Sequence, residues 1–289
     1  MMVHGILNVY KEKGYTSHDV VAKLRGIIGQ KKIGHTGTLD PDAEGVLPVC
    51  LGKATRLCDL LTEKEKTYEA VLLLGRTTDT QDTTGETLAV SDTEHLTEEE
   101  VRRAVLSFQG TYPQVPPMYS ALKVNGQKLC DLARKGRQVE RQPRPVTIHE
   151  LTLLSREGDT LRLRVRCSKG TYIRTLCADI GEALGCGGCM QALRRTQAGE
   201  YTIAEAVPLQ QLLESPEPET YLRDVDTMFR GYPGVKLTAN QEKRCRNGNA
   251  FSVPHPGGTY RAYSQSGEFL MLAKVEDGVM STIKSFFDV

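Results

Sequence analysis

The chain has 289 residues, enough for one large domain or two modest ones, and for a core that folds without a disulfide or metal staple. Apolar residues at 39% and charged residues at 25% exclude wholesale disorder, while 37 basic against 36 acidic residues leave a net charge of +1 that argues neither for nor against a polyanionic partner. The longest apolar run, residues 46–51 with Pro48 counted, is far short of a membrane span, and MMVHGILNVYKEKG has a His, a Gly and an Asn where a secretory leader needs unbroken apolar residues; the expectation is a cytoplasmic protein without membrane contact.

Residues 5–10 alternate weakly and predict a short strand. Thr16-Ser17-His18-Asp19 offers an N-cap to a helix carrying Val20, Val21, Leu24, Ile27 and Ile28 at helical spacing, with Gly29 as its stop. A sharply turning, glycine-rich stretch, KKIGHTGTLDPDAEG, precedes a buried strand, VLPVCLG. A helix over about 53–63 leads into the strand KTYEAVLLLG, which places Tyr68, Ala70, Leu72 and Leu74 on one face. The acidic stretch that follows reads as a loop, up to a capping box of Thr97 and Glu100 for a helix burying Val101, Ala104 and Val105. Residues 118–145 lie between Pro116-Pro117 and Pro143/Pro145 and predict an insertion projecting from the core.

A hairpin comes next: VTIHELTLLS, the turn REGD, then TLRLRVRC with Leu161, Leu163 and Val165 inward and Arg162, Arg164 and Arg166 outward. Ser168-Lys169-Gly170 turns the chain into a helix with Ile173, Leu176, Cys177, Ile180 and Leu184 at helical intervals. SPEPE (215–219) is a connection, and 230–289 hold one helix boxed by Thr238 and Gln241 among several short strands. The fold class is α+β: a mixed, largely antiparallel sheet with helices, a basic insertion and a small β-rich C-terminal domain.

Charge is segregated along the chain. From 76 to 100 eight acidic residues face Arg76 alone, whereas 118–145 carries seven basic residues against Asp131 and Glu140. One face turned toward a polyanion and another turned away would produce this, and so would ordinary solvated clusters. The eight cysteines are irregularly spaced and read as reduced thiols. Cys186 and Cys189 form a CxxC without the second pair that zinc needs or the βαβ context of a redox motif, so they read as small residues at a helix end. No metal and no cofactor are expected.

Three clusters stand out. Residues 34–45 hold three glycines and three carboxylates without Walker or EF-hand spacing; Pro41 forces Asp40 into an extended or turn conformation, and the plain alternative is that Asp40 and Asp42 punctuate a turn. In Ser168–Arg174, Arg174 falls in the first turn of a helix, where the dipole disfavours a cation unless an anion is near; Tyr172 and Tyr68 would also suit ordinary core positions. Leu193-Arg194-Arg195-Thr196 reads as a solvated basic helix end.

Taken together, GHTGTLDPDAEGVLPVCLGKATRL, KTYEA, KVNGQKLCDLARKGR, SKGTYIRTLCADIG and LRRT resemble, in order and type, the TruB family of bacterial tRNA pseudouridine synthases acting on uridine 55 of the T-arm. The likeness runs from Gly5 to about Tyr201, with a looser match over the last 60 residues to the family's small RNA-binding domain; Gly188-Cys189-Met190 departs from the family's usual Ala-His-Leu-like triplet. The resemblance implies a pseudouridine synthase catalytic domain over 1–225 and a PUA-like RNA-binding domain over 230–289. It implies Asp40 as the essential carboxylate, which attacks C1′, stabilises an oxocarbenium-like species or abstracts the 2′ proton; these routes stay open. Arg174 is then its counter-ion, Tyr68 the residue stacked on the uracil and assisting proton loss from C5, and Tyr172 and Leu193 the lining of the base pocket. His35 fills the space left by the flipped uridine, and the insertion with Lys123 and Lys128 clamps the T-loop. A monomer without an obligatory protein partner would suffice. Two other readings are a non-catalytic RNA-binding or tRNA-chaperoning protein, and a hydrolase pairing Asp40 with Asp42 or Glu44.

Overall fold

A computed structural model of the protein describes residues 2–287. β1 (Gly5–Lys11) is followed by α1 (Ser17–Ile28). Thr16 caps α1 reciprocally: its hydroxyl accepts from the Asp19 amide, and the Asp19 carboxylate accepts from the Thr16 amide, while Gly29 ends the helix at φ 70°. Val20, Val21 and Leu24 pack with Leu7 and Val9, each burial contributing about 1.5–3 kcal/mol. β2 (Ile33–His35) and β3 (Glu44–Leu51) flank the glycine-rich turn. The helix expected over 53–63 is instead a 3₁₀ segment, Gly52–Leu57, followed by one turn of α2 (Cys58–Thr62); Ala54 and Leu57 are both fully buried, the three-residue period of the tighter winding.

β4 (Lys66–Leu74) buries every second residue, Tyr68, Ala70, Leu72 and Leu74 included. The acidic stretch is not all loop: β5 (Arg76–Thr78) and β6 (Thr87–Val90) pair as a ribbon. All of β6 is solvated, so the buried-face alternation that marks a strand in sequence is missing. α3 (Glu98–Ser107) starts at the predicted Thr97–Glu100 box and buries Val101 and Val105, with Ala104 half-buried. β7 (Gly110–Gln114) precedes the insertion, in which β8 (Lys123–Val124), β9 (Gln127–Lys128) and α4 (Leu129–Ala133) gather on their own small core of Met118, Leu129 and Leu132. β10 (Arg144–Glu157) and β11 (Thr160–Cys167) form the predicted hairpin, with Arg162, Arg164 and Arg166 exposed.

α5 (Ile173–Ala183) lays Ile173, Leu176, Cys177 and Ile180 on the sheet. LRRT lies within β12 (Gly188–Ala198), a strand rather than a helix end, and Arg195 is 1% exposed. The correction has a tertiary cause: β12 runs in the middle of the sheet, where even an arginine is enclosed. β13 (Tyr201–Thr202), β14 (Val207–Pro208) and α6 (Leu209–Glu214) complete the unit. The ten-stranded sheet has the order β14-β1-β3-β12-β4-β11-β10-β7, with β2 beside β3 and β13 beside β12. Its two halves join where β3 and β12 run parallel, in register only at Glu44↔Arg194 and Gly45↔Arg195.

A second, five-stranded sheet is built from β15 (Gly234–Lys236), β16 (Phe251–Ser252), β17 (Gly258–Tyr263), β18 (Phe269–Glu276) and β19 (Val279–Ser285), with α7 (Ala239–Arg246) capped by Thr238 and Gln241 as predicted. Leu272 and Phe286 of this unit share a core with Ile6, Val46 and Phe229, and Arg56 donates to the Ser285 and Phe287 carbonyls at 2.8 and 3.1 Å. Among the described residues no helix is long and apolar enough to cross a membrane.

Candidate active site

Asp40 stands in the loop between β2 and β3, with Leu39 and Ala43 plugged into the core on either side. The loop is suspended from three directions. Ser17 Oγ accepts the Leu39 amide at 2.9 Å and donates to the Leu39 carbonyl at 3.3 Å. Lys11, with no exposed surface, donates through Nζ to the carbonyls of Tyr15 (2.6 Å), Glu12 (3.0 Å) and Pro41 (3.1 Å). Burial pushes Lys11 down to about 8, with Asp40 and Asp42 opposing. Arg195 donates through Nε to the Val46 carbonyl (2.7 Å) and through Nη2 to that of Gly37 (3.2 Å). Close approach fixes Gly45, at φ 110°: a Cβ there would lie 2.2 Å from the Arg195 carbonyl oxygen and part the two strands.

The carboxylate so held meets Arg174 at the start of α5. Asp40 Oδ2 lies 3.0 Å from Nε and Oδ1 3.3 Å from Nη2; the arginine side chain is 7% exposed and the aspartate 39%. Arg174 also pairs with Asp82 Oδ2 at 3.5 Å through Nη1, and donates to the carbonyls of Thr80 (3.1 Å) and Tyr119 (2.7 Å). The conflict between a cation and the positive end of α5 is thus relieved by two carboxylates and two carbonyl dipoles. Asp82 is itself fixed: Oδ1 accepts from Thr80 Oγ1 at 2.8 Å and the Thr84 amide at 3.0 Å, and the Asp82 backbone bridges to Met190 of β12. Burial raises the Asp40 carboxyl above its ordinary value; Arg174 opposes, Asp82 adds to the rise, Lys11 opposes and Asp42 adds. The result is a more basic carboxylate than an exposed aspartate, yet one paired with a fixed cation.

Tyr68 lies in β4 directly across from Arg195 of β12, and Leu193 stands two pairs further along, opposite Ala70; Tyr68 and Leu193 share the core that holds Leu39 and Ile173. Burial raises the Tyr68 hydroxyl, with Arg195 opposing, which keeps it protonated near neutrality. Tyr172 is half-buried at the N-cap of α5. His35, at the end of β2, meets His18 edge-on with centroids 5.3 Å apart, and burial drives it down to about 4, so it is neutral at pH 7. Lys123 and Lys128 are exposed, facing each other across the β8–β9 hairpin. Like charges directly opposite repel, an arrangement that an anion between them relieves.

Of the carboxylates that a hydrolase would pair with Asp40, Asp42 is exposed and Glu44 sits beside Tyr10 and Arg194. The second carboxylate at the site is Asp82, which sequence reasoning counted only as part of an acidic stretch. Lys11 and Arg195 were missed as well. Cys186 and Cys189 are both buried, one after α5 and the other within β12. Among the described residues no three His, Cys, Asp or Glu side chains gather to hold a metal.

The family model described as TruB family pseudouridylate synthase, N-terminal domain, matches residues 25–173, just over half of the chain. The chain belongs to the TruB family. A second TruB model, described as the tRNA pseudouridylate synthase B C-terminal domain, matches residues 174–226. Similar relatives include the tRNA pseudouridine synthase B of Lachnoclostridium phytofermentans, 55% identical over 261 residues, covering 86% of this chain and 84% of that one. The protein of the same name from Clostridium perfringens is 44% identical, covering 95% of this chain and 96% of that one. Among solved structures, a chain of a Cbf5–Nop10–Gar1 complex is 26% identical with a TM-score of 0.71, covering 98% of this chain and 85% of that one. A chain of an H/ACA RNP bound to a substrate RNA, 24% identical with a TM-score of 0.72, shares the fold. Arg174 opens the second TruB span, whereas Lys11 and Ser17, which hang the Asp40 loop, precede the first.

Proposed function

We propose that the protein isomerises uridine 55 in the T-loop of tRNA to pseudouridine, with Asp40 as the catalytic carboxylate. The observation that carries this reading is the Asp40–Arg174 pair at 3.0 Å, on a loop held by Lys11, Ser17 and Arg195 and beside the face of β4 that bears Tyr68. The reaction breaks N1–C1′, turns the uracil over and joins C5 to C1′; the C5 proton is lost and N1 gains one, so nothing is oxidised or hydrolysed. Asp40 acts at the ribose, by attack on C1′, by stabilising positive charge there, or by taking the 2′ proton. Arg174 keeps it ionised and oriented. Tyr68 offers a flat face on which the base can turn, and a protonated hydroxyl near C5. Tyr172 and Leu193 bound the pocket, and neutral His35 enters the space left by the flipped nucleotide. Lys123 and Lys128, on the insertion, take phosphates of the T-loop, and residues 230–289 form a second RNA contact beyond the catalytic unit of 1–225. The protein acts as a monomer.

Tritium release from a [5-³H]uridine-labelled T-arm stem-loop tests the reading. Asp40→Asn should abolish release and retain RNA binding. Turnover by Asp40→Asn near the wild-type rate would refute the assignment, and free uracil among the products would mean a hydrolase.

A further inference from the structure

Gln114, the last residue of β7, is a buried amide, 1% exposed, whose hydrogen bonds go to Tyr172 and Tyr112. Its Oε1 accepts the Tyr172 amide at 2.8 Å, and its Nε2 donates to the Tyr172 carbonyl at 3.1 Å. The same Nε2 donates to the Tyr112 hydroxyl at 2.6 Å, and that hydroxyl donates to Asp179 Oδ2 at 3.2 Å, which fixes the direction of the whole chain. One side chain therefore holds both backbone polar groups of Tyr172. Tyr172 is the N-cap of α5 but makes no side-chain capping bond, so the clamp from β7 is what locates the start of that helix, two residues before Arg174.

The clamp stands at a junction. Gln114 is the register partner of Arg144, so the basic insertion leaves and rejoins the sheet at this pair. The insertion itself touches Arg174 through the Tyr119 carbonyl, at 2.7 Å. We infer that Gln114 is a positioning residue, tying the root of the insertion to Tyr172 and thereby setting where Arg174 stands against Asp40. This rests on the roles proposed above for Tyr172, Arg174 and Asp40.

Two variants test it by single-turnover tritium release, with affinity for the T-arm stem-loop measured in parallel. Gln114→Met keeps the volume and removes every hydrogen bond; it should slow the chemical step by about 10–100-fold, since small misplacements of catalytic groups cost that much. Its Kd should move less than about threefold, because phosphate contacts dominate affinity. Gln114→Glu accepts the Tyr172 amide but, when ionised, offers the Tyr172 carbonyl no donor and faces Asp179. Once protonated it regains a donor. The titratable and charged groups facing position 114 are Tyr112 from β7, Asp179 from α5 with Cys177 behind them, and Arg144, its register partner on β10; all are present in both proteins, and Asp179, pushed up to about 6 by burial, titrates together with the introduced carboxyl, so the activity ratio of Gln114→Glu to wild type reads the two as a coupled pair. That ratio should rise as pH falls from about 8 to about 5.5. Wild-type turnover by Gln114→Met, a Kd loss as large as its rate loss, or a ratio flat with pH would each overturn the inference. Asp40→Asn run alongside separates the two levels: if it turns over, the reading of the site itself fails; if it is silent while Gln114→Met is normal, only the positioning role is lost.

Discussion

Asp82→Asn tests the electrostatics of the site most directly, because Asp82 acts on both members of the central pair. Its Oδ2 lies 3.5 Å from Nη1 of an arginine that is 7% exposed. The contact is an ion pair rather than a hydrogen bond, so it contributes at most the about 1.5–3 kcal/mol of a hydrogen bond to a charged group. Asp40 still holds the other side of the guanidinium, and the Thr80 and Tyr119 carbonyls remain, so the lower part of that range applies. About 1.5–2 kcal/mol lost from the placement of Arg174 corresponds to a chemical step about ten- to thirtyfold slower. The effect on Asp40 has the other sign. Burial is the main cause of its raised pKa, and Asp82 adds to it; removing that negative charge lowers it again. The active form of Asp40 is ionised, so activity is lost as pH falls through its pKa. The wild-type acidic limb should therefore stand above the ordinary aspartate value of about 3.9, and the variant's limb should shift to lower pH. Single-turnover tritium release between about pH 4.5 and 8.5 measures both quantities. A variant with the wild-type rate at neutral pH and an unmoved acidic limb would refute the argument.

Arg195→Met should lower stability by about 2–5 kcal/mol, since it strands the buried Val46 carbonyl and the half-buried Gly37 carbonyl; a drop in Tm of about 5–15 °C is expected by thermal unfolding, and an unchanged Tm would show the bonds to be replaceable. Tyr68→Phe keeps the stacking face and removes the hydroxyl; RNA affinity should hold while product formation falls about 10²–10⁴-fold, and unchanged turnover would reduce Tyr68 to a platform. Lys123→Gln with Lys128→Gln should weaken T-arm binding and flatten the plot of log K against log salt by about 1–2; an unaltered slope would remove these lysines from the RNA face.

What the sequence disclosed was whatever is local. The Thr16 and Thr97 boxes, the alternation along β4 and the β10–β11 hairpin each depend on spacing within a few residues, and each is where its pattern put it. The failures are non-local. Arg195 looks solvated beside Arg194 because nothing in LRRT says that β3 and β4 flank it; Arg194 does reach the surface, where it pairs with Glu69 at 2.9 Å. Asp82 is hidden by its company, one carboxylate among eight, and stands out only once Gln81, at φ 64°, bends the loop back so that its side chain meets Thr175 of α5 and its carbonyl accepts the Met190 amide. Lys11 gives one usable signal, a lysine closing a strand that is otherwise apolar around Asn8, but its partners are three carbonyls and carry no sequence signature.

The narrow parallel join between β3 and β12 has a consequence for how this protein tolerates change. Asp40 belongs to the half of the sheet that contains β1 and β3; Tyr68 and Leu193 belong to the other half, and Arg174 is carried on the helix packed against it. The constellation is therefore a relation between two bodies rather than a property of either. Substitutions along the join that leave both halves folded change the offset between them. A library selected for folded yield would accept many of these, and one selected for turnover would reject them, so the gap between the two selections would trace the join residue by residue.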